Sequence, residues 1–189
     1  MIVTLRKENA PIKQIVSLVT SQLGGAKNAT FISKDVSNFA GSAMRSLFGS
    51  DVSTTLDYFK HLEAEDPMFF YAIKTDDFGR AQNIFWVDGR SRLAYHYFGD
   101  VITFDTTYMT NKYNMPFAPF VGTNHHWQSI LFGCALIRDE QASSFEWIFK
   151  TWLQAMGGHH PKAMITDQDL AMKKAIPNVF PDVRHRFCE

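Results

Sequence analysis

Val101 to Tyr108 reads VITFDTTY, an apolar run rich in β-branched and aromatic residues that delivers one acid, Asp105, at its end. About sixty positions on, Met164 to Asp169 reads MITDQD, a second short apolar run ending in a second acid, Asp167. If both runs are strands and lie side by side, the two carboxylates meet at one edge of a sheet. The surrounding chain decides whether they do.

Between these runs the pattern alternates in a definite order. VITFDTTY, APFVGTN and SILFGCALI are β-type segments separated by stretches rich in Asn, Pro, Gly and His, short enough to join antiparallel neighbours. Ser143-Ser144-Phe145-Glu146 has the form of a capping box, and Phe145, Ile148, Phe149, Trp152 and Met156 then recur at helical spacing until Gly157-Gly158. AMITD is a fourth strand, Leu170 to Ile176 a short helix begun by Asp169 and stopped by Pro177, and Val183 to Cys188 a fifth strand. The order is βββαβαβ, that of the ribonuclease-H-like folds, in which the fourth strand lies parallel beside the first. The expected class is α/β with a mixed sheet, incomplete at its C-terminal end.

Upstream, Ile12, Ile15, Val16, Val19 and Leu23 fit one helix ending at Gly24-Gly25. Val36 to Leu47 fits a second, capped by Ser33, and a third runs from Ser53 or Thr54 through Phe59 to Asp66-Pro67. FFYAIKT and NIFWVD flank Asp76-Asp77-Phe78-Gly79 and read as a hairpin with a solvated acidic tip. Ser91 to Tyr97 is a short polar-aromatic stretch. The expected organisation is a helical region over 1–67, a hairpin connector over 68–97 and the α/β domain over 98–189.

Composition narrows the function classes. With 189 residues, 46% of them hydrophobic, the chain can bury a substantial core. Nineteen Lys and Arg balance nineteen Asp and Glu, so any nucleic-acid surface must be local. No apolar run reaches the roughly 18 residues of a membrane span. The N-terminus lacks the apolar core of a signal peptide and there are two cysteines, so a reducing, intracellular setting is expected.

Two carboxylates brought together repel unless a proton or a cation separates them. Mg²⁺ suits such a pair: it takes oxygen ligands and, in pairs about 4 Å apart, stabilises both entering and leaving oxygens of a phosphoryl displacement. The bland readings stand beside this one. Asp105 could cap the turn formed with Thr106 and Thr107, and Asp169 reads better as a helix N-cap than as a ligand. His125-His126 would point opposite ways on an extended chain, which favours a hydrogen-bonded pair over a shared metal. His159-His160 sits in a Gly-Pro turn, and Cys134 reads as a small buried residue. By themselves His185 and Cys188 read as structural. The helix of Phe145, Trp147, Phe149 and Trp152 is core first and partner surface second.

FGDVITFDTTYMTNKYNMPFAPFVGTNHHWQSILFGCALIRDE, with SFEWIFKTWLQAMGG and ITDQDLAMKKAIPNVFP, resembles the Mutator-like element (MULE) transposase domain. More narrowly the chain is similar to the plant far-red-impaired-response family of transposase-derived transcription regulators, a likeness that extends upstream through KDVSNF and DYFKHLEAEDPMFFY. The resemblance implies an acid set of the DDE type, with Asp105 first, Asp167 second and a Glu beyond the end of this chain. It also implies that HRFCE continues into a Cys-x-x-His pair whose cysteine is Cys188, a zinc or site-ordering candidate. A zinc-binding DNA-reading module is expected N-terminal to it, with DNA as a partner through that module, a homo- or hetero-oligomer with family members, and the nucleus as location. Two functions follow from the resemblance: a domesticated regulator of transcription, linked in this family to far-red light signalling, with little or no catalysis; or a Mg²⁺-dependent transposase that cleaves and joins DNA.

Overall fold

In the computed structural model of this chain, residues 52–106, 113 and 115–188 are described. The expected helices over 12–23 and 33–47, and Thr107 with Tyr108 of the opening stretch, lie outside them. Nearly all described residues belong to one compact unit, Thr55–Thr110 with Asn114–Glu189.

The third expected helix is present over 52–65 and is named α1. The hairpin follows as β1 (Phe70–Thr75) and β2 (Ala81–Val87), then a helix α2 (Gly89–Phe98). The meander is β3 (Val101–Phe104), β4 (Phe117–Thr123) and β5 (Ser129–Leu136); after it come α3 (Ala142–Ala155), β6 (Ala163–Thr166), α4 (Leu170–Val179) and β7 (Arg184–Phe187). The strands form one mixed sheet in the order β1-β2-β5-β4-β3-β6-β7. From β3 onward this is the expected βββαβαβ order, with β6 parallel to β3 and β7 parallel to β6.

Strand alternation explains the core. Ile102 and Phe104 of β3, Ala118 and Phe120 of β4 and Met164 of β6 are fully buried, while their neighbours Val101 and Thr103 are exposed. Onto that face α3 lays Phe145, Ile148, Phe149 and Trp152, each fully buried. Phe120 stacks on Trp152 with centroids 4.9 Å apart, Phe104 meets Phe149 edge-on at 4.9 Å, and the Trp152 indole donates to the Phe132 carbonyl at 3.0 Å. Burying each such aromatic contributes on the order of 2 kcal/mol. Met172, Ala175 and Ile176 of α4 join the same cluster.

The hairpin does more than connect. β2 pairs with β5 through Ile84↔Leu136, Phe85↔Ala135 and Trp86↔Cys134, so β1 and β2 extend the same sheet, and Phe85 and Val87 lie in the central core. The opposite side of β2 carries Trp86, which meets Phe59 of α1 at 5.9 Å.

Several local expectations change. The stretch at Ser91 is helical: Asp88 caps α2 by accepting from the Ser91 N–H at 2.6 Å. Its apolar face is too thin to show as periodicity, since Tyr95 is its sole buried residue while Leu93 and Tyr97 stay exposed. Polar tethers hold it instead. Arg92 donates to the Ala155 and Met68 carbonyls, and the Tyr95 hydroxyl to the His159 carbonyl at 2.8 Å.

No capping box opens α3. Its N-cap is Gln141, without a side-chain bond, and Ser144 donates its hydroxyl back to Asp139 at 2.7 Å. α4 continues through Pro177 to Val179, because a proline in the last turn forfeits only one backbone bond and its ring is on the exposed side of the helix, while Val179 and Phe180 stay buried. The acidic tip of the hairpin is ordered, not merely solvated: Asp76, 14% exposed, accepts from the Phe78 and Arg80 N–H groups and pairs with the Arg80 guanidinium at 2.6 Å. His125 and His126 do not diverge. They sit in a tight turn fastened by Asn124, with ring centroids 3.9 Å apart.

Candidate functional site

β3 and β6 run parallel in the register Val101↔Ala163, Ile102↔Met164, Thr103↔Ile165. Continued by two residues, that register sets Asp105 level with Asp167, each just past the C-terminal end of its strand. β7 pairs Thr166↔Phe187, which brings Cys188 to the same level, and the Cys188 N–H donates to the Thr166 carbonyl at 2.7 Å. Outside the carboxyl ends of neighbouring parallel strands is where open α/β sheets hold ligands.

Each acid is oriented by its own loop. Asp105, exposed, accepts from the Thr106 N–H at 2.7 Å, so the turn-capping reading of this residue describes one of its oxygens. Asp167, half-buried, accepts from the Asp169 N–H at 3.1 Å; Asp169 in turn accepts from the Met172 N–H at 2.7 Å and is the N-cap of α4, as expected. The first N–H groups of α4 therefore face the end of the sheet that carries the acids.

A polar chain ties β7 to this edge. The Thr166 hydroxyl donates to the Asp167 carbonyl at 2.8 Å, and the His185 Nε2 lies 2.8 Å from the same hydroxyl. With its one proton given to Asp167, that hydroxyl accepts from His185, which fixes the Nε2–H tautomer. Burial, and then the nearby Lys173 ammonium, hold His185 below the ordinary imidazole range.

A further acid reaches this end of the sheet. Glu140, in the turn between β5 and α3, accepts the Thr106 hydroxyl at 2.6 Å, one residue from Asp105. Neither strand periodicity nor an acid count singles Glu140 out. The signal that could have found it is topological: β5 is two strands from β3 and runs in the same direction, so its exit lies at the same end. Among the described residues no three His, Cys, Asp or Glu side chains converge as metal ligands. The acid pair offers the hard oxygen donors that Mg²⁺ takes but not a full ligand set. Cys188 is exposed and Cys134 is buried, with burial and then Asp88 pushing the Cys134 thiol up to about 11.

The MULE transposase domain description matches residues 101–189. Three Arabidopsis thaliana proteins align with much or all of the chain. Protein FAR1-RELATED SEQUENCE 5 is 40% identical over 189 residues, 100% of this chain and 24% of its own length. Protein FAR1-RELATED SEQUENCE 7 is 45% identical over 183 residues, 96% of this chain and 24% of its own. Protein FAR-RED IMPAIRED RESPONSE 1 is 42% identical over 177 residues, 93% of this chain and 21% of its own. The chain spans about a quarter of the length of these relatives.

Proposed function

Because the chain carries a MULE transposase domain and belongs to the FAR1-related family of transposase-derived proteins, we propose that the protein containing it is a DNA-associated regulator of transcription in the nucleus. The observation that carries this reading is similarity along almost the whole chain, upstream of residue 101 as well as within the domain, to relatives one of which is named for an impaired far-red response. In this reading the α/β domain is a scaffold and interaction surface. DNA is read by a zinc-binding module of the full-length protein, and other family members are its partners. Occupancy of discrete promoters by the full-length protein in chromatin is the expected result; a protein that stays cytoplasmic and off chromatin overturns it.

One observation favours a second reading. Asp105 and Asp167 stand level at the ends of adjacent parallel strands, as a phosphoryl-transfer site would have them. Under this reading the pair, with a further acid, holds Mg²⁺ and the protein cuts and joins DNA. Under the regulator reading the purified chain shows no Mg²⁺-dependent nicking. Robust cleavage of supercoiled DNA in Mg²⁺, lost on Asp105→Asn, would establish the transposase instead.

A further inference from the structure

Between α1, the start of α2 and the paired strands β2 and β5 lies an open cavity of about 370 Å³, at the lower end of the volumes that small ligands occupy. Tyr58, Phe59, Phe69 and Trp86 bring aromatic rings to it, and Leu62 and Leu131 add aliphatic wall. Phe59 and Phe69, 5% and 7% exposed, are accounted for by the packing of α1 on the sheet: their rings stand 5.7 Å apart, and Phe59 lies 5.9 Å from Trp86. Tyr58 and Leu131 are not. At 58% and 45% exposure they keep apolar surface in water beside the cavity.

The charged residues of this wall are all acids. Glu65, Asp66 and Asp88 line the cavity, and among the described residues no lysine, arginine or histidine does. Arg92 of α2 stands close enough to Asp66 to add to the lowering of that carboxyl, but its own donors go to the Ala155 and Met68 carbonyls. His61 of α1 pairs with Glu65 at 3.2 Å, both side chains well exposed. Asp88 enters no described ion pair, and its charge is felt at Cys134, another wall residue, whose thiol it helps burial to push up. Two of these acids already have backbone donors. Asp66 accepts from the Met68 and Gly89 N–H groups at 2.9 and 2.7 Å, one on each oxygen, and Asp88 accepts from the Ser91 N–H. The wall therefore offers a negative field and aromatic surface, but few free acceptors.

We propose that this cavity takes the methylated ammonium group of a lysine side chain in a protein partner. A free ammonium is strongly hydrated and needs acceptors for its three donors when it leaves water. A trimethylated one has no donor to satisfy, and it is attracted by aromatic rings and by carboxylates that it does not hydrogen-bond. The four-carbon stem of the lysine has Leu62 and Leu131 to lie against. Packing of α1 explains the buried rings but not why every charge around them is negative. This inference goes beyond the regulator reading, and neither depends on the other.

The test is calorimetric titration of the 189-residue chain with a short peptide carrying one trimethyllysine. The same peptide with carbon in place of the quaternary nitrogen keeps the shape and loses the charge, and it is expected to bind about tenfold more weakly. Glu65→Gln/Asp88→Asn is expected to weaken the trimethyllysine peptide severalfold with thermal stability kept, since asparagine caps a helix as aspartate does. Asp57→Asn, on α1 but outside the cavity wall, is expected to leave the affinity unchanged. Equal affinity for the carbon isostere shows a merely apolar cavity and overturns the proposal, as does equal affinity for the unmethylated peptide. Absence of binding at millimolar peptide overturns it too. Free choline that binds as tightly as the peptide reassigns the cavity to a small molecule or headgroup and also overturns it. None of these outcomes bears on promoter occupancy by the full-length protein, which tests the regulator reading separately.

Discussion

Single residues here carry well-defined jobs, and Asp76 shows how pH reaches one of them. The Arg80 side chain is the largest influence and holds its carboxyl below the ordinary value of 3.8; burial opposes it, and the Arg80 and Phe78 backbone donors add to the lowering. A carboxyl depressed in the folded state contributes stability that is present above its unfolded value and is lost as pH falls through the folded one. Asp76→Asn should therefore be less stable than the wild type at neutral pH and converge with it as the pH drops below the carboxylate range. Urea midpoints across that range check this, and a constant gap between the two proteins would show that the pair contributes nothing. Asp76 and its glycine were legible in sequence as turn chemistry. The ordering role of the acid was not, because it depends on Arg80 folding back across the turn.

At the scale of elements, α4 hangs on its cap. Asp169 accepts from the Met172 N–H, and the helix it starts is ten residues long with a proline in its last turn. Asp169→Ala should cost about 1 kcal/mol, read from chemical denaturation, and an unchanged midpoint would show that packing alone sets this end. Sequence periodicity found α1, α3 and α4 because each presents an apolar stripe. It missed α2, whose hold on the fold runs through the Arg92 guanidinium and the Tyr95 hydroxyl to backbone carbonyls far along the chain. It also supplied α3 with a capping box that the folded helix does not use: Ser144 is already inside the helix and turned toward Asp139.

For the whole molecule, the join between hairpin and meander is the point at issue. The MULE match begins at residue 101, and the chain itself suggests a boundary near residue 98. Yet β2 fills the β5 edge and gives Phe85 and Val87 to the core, at 0% and 2% exposure. A polypeptide of residues 98–189 leaves that edge unpaired and the Phe132 and Trp152 region uncovered. It is expected to lose cooperative thermal unfolding and to aggregate in sedimentation, whereas residues 68–189 unfold cooperatively and sediment as a single species. A 98–189 fragment that unfolds cooperatively at the parent midpoint would show that the hairpin is dispensable.

By itself the sequence determined the βββαβαβ order, the aromatic face of α3 and the two acids at strand ends, because these follow from periodicities of 2.0 and 3.6 and from punctuation by Gly, Pro and Asp. Tertiary structure alone decided that the hairpin joins the sheet, that Glu140 reaches Thr106 beside Asp105, and that His185, Thr166 and Asp167 form one polar chain. Each of these is a contact between residues about 20 to 50 positions apart, created by strand register and not by any local pattern. The register of three parallel strands sets Asp105, Asp167 and Cys188 level at one end of the sheet.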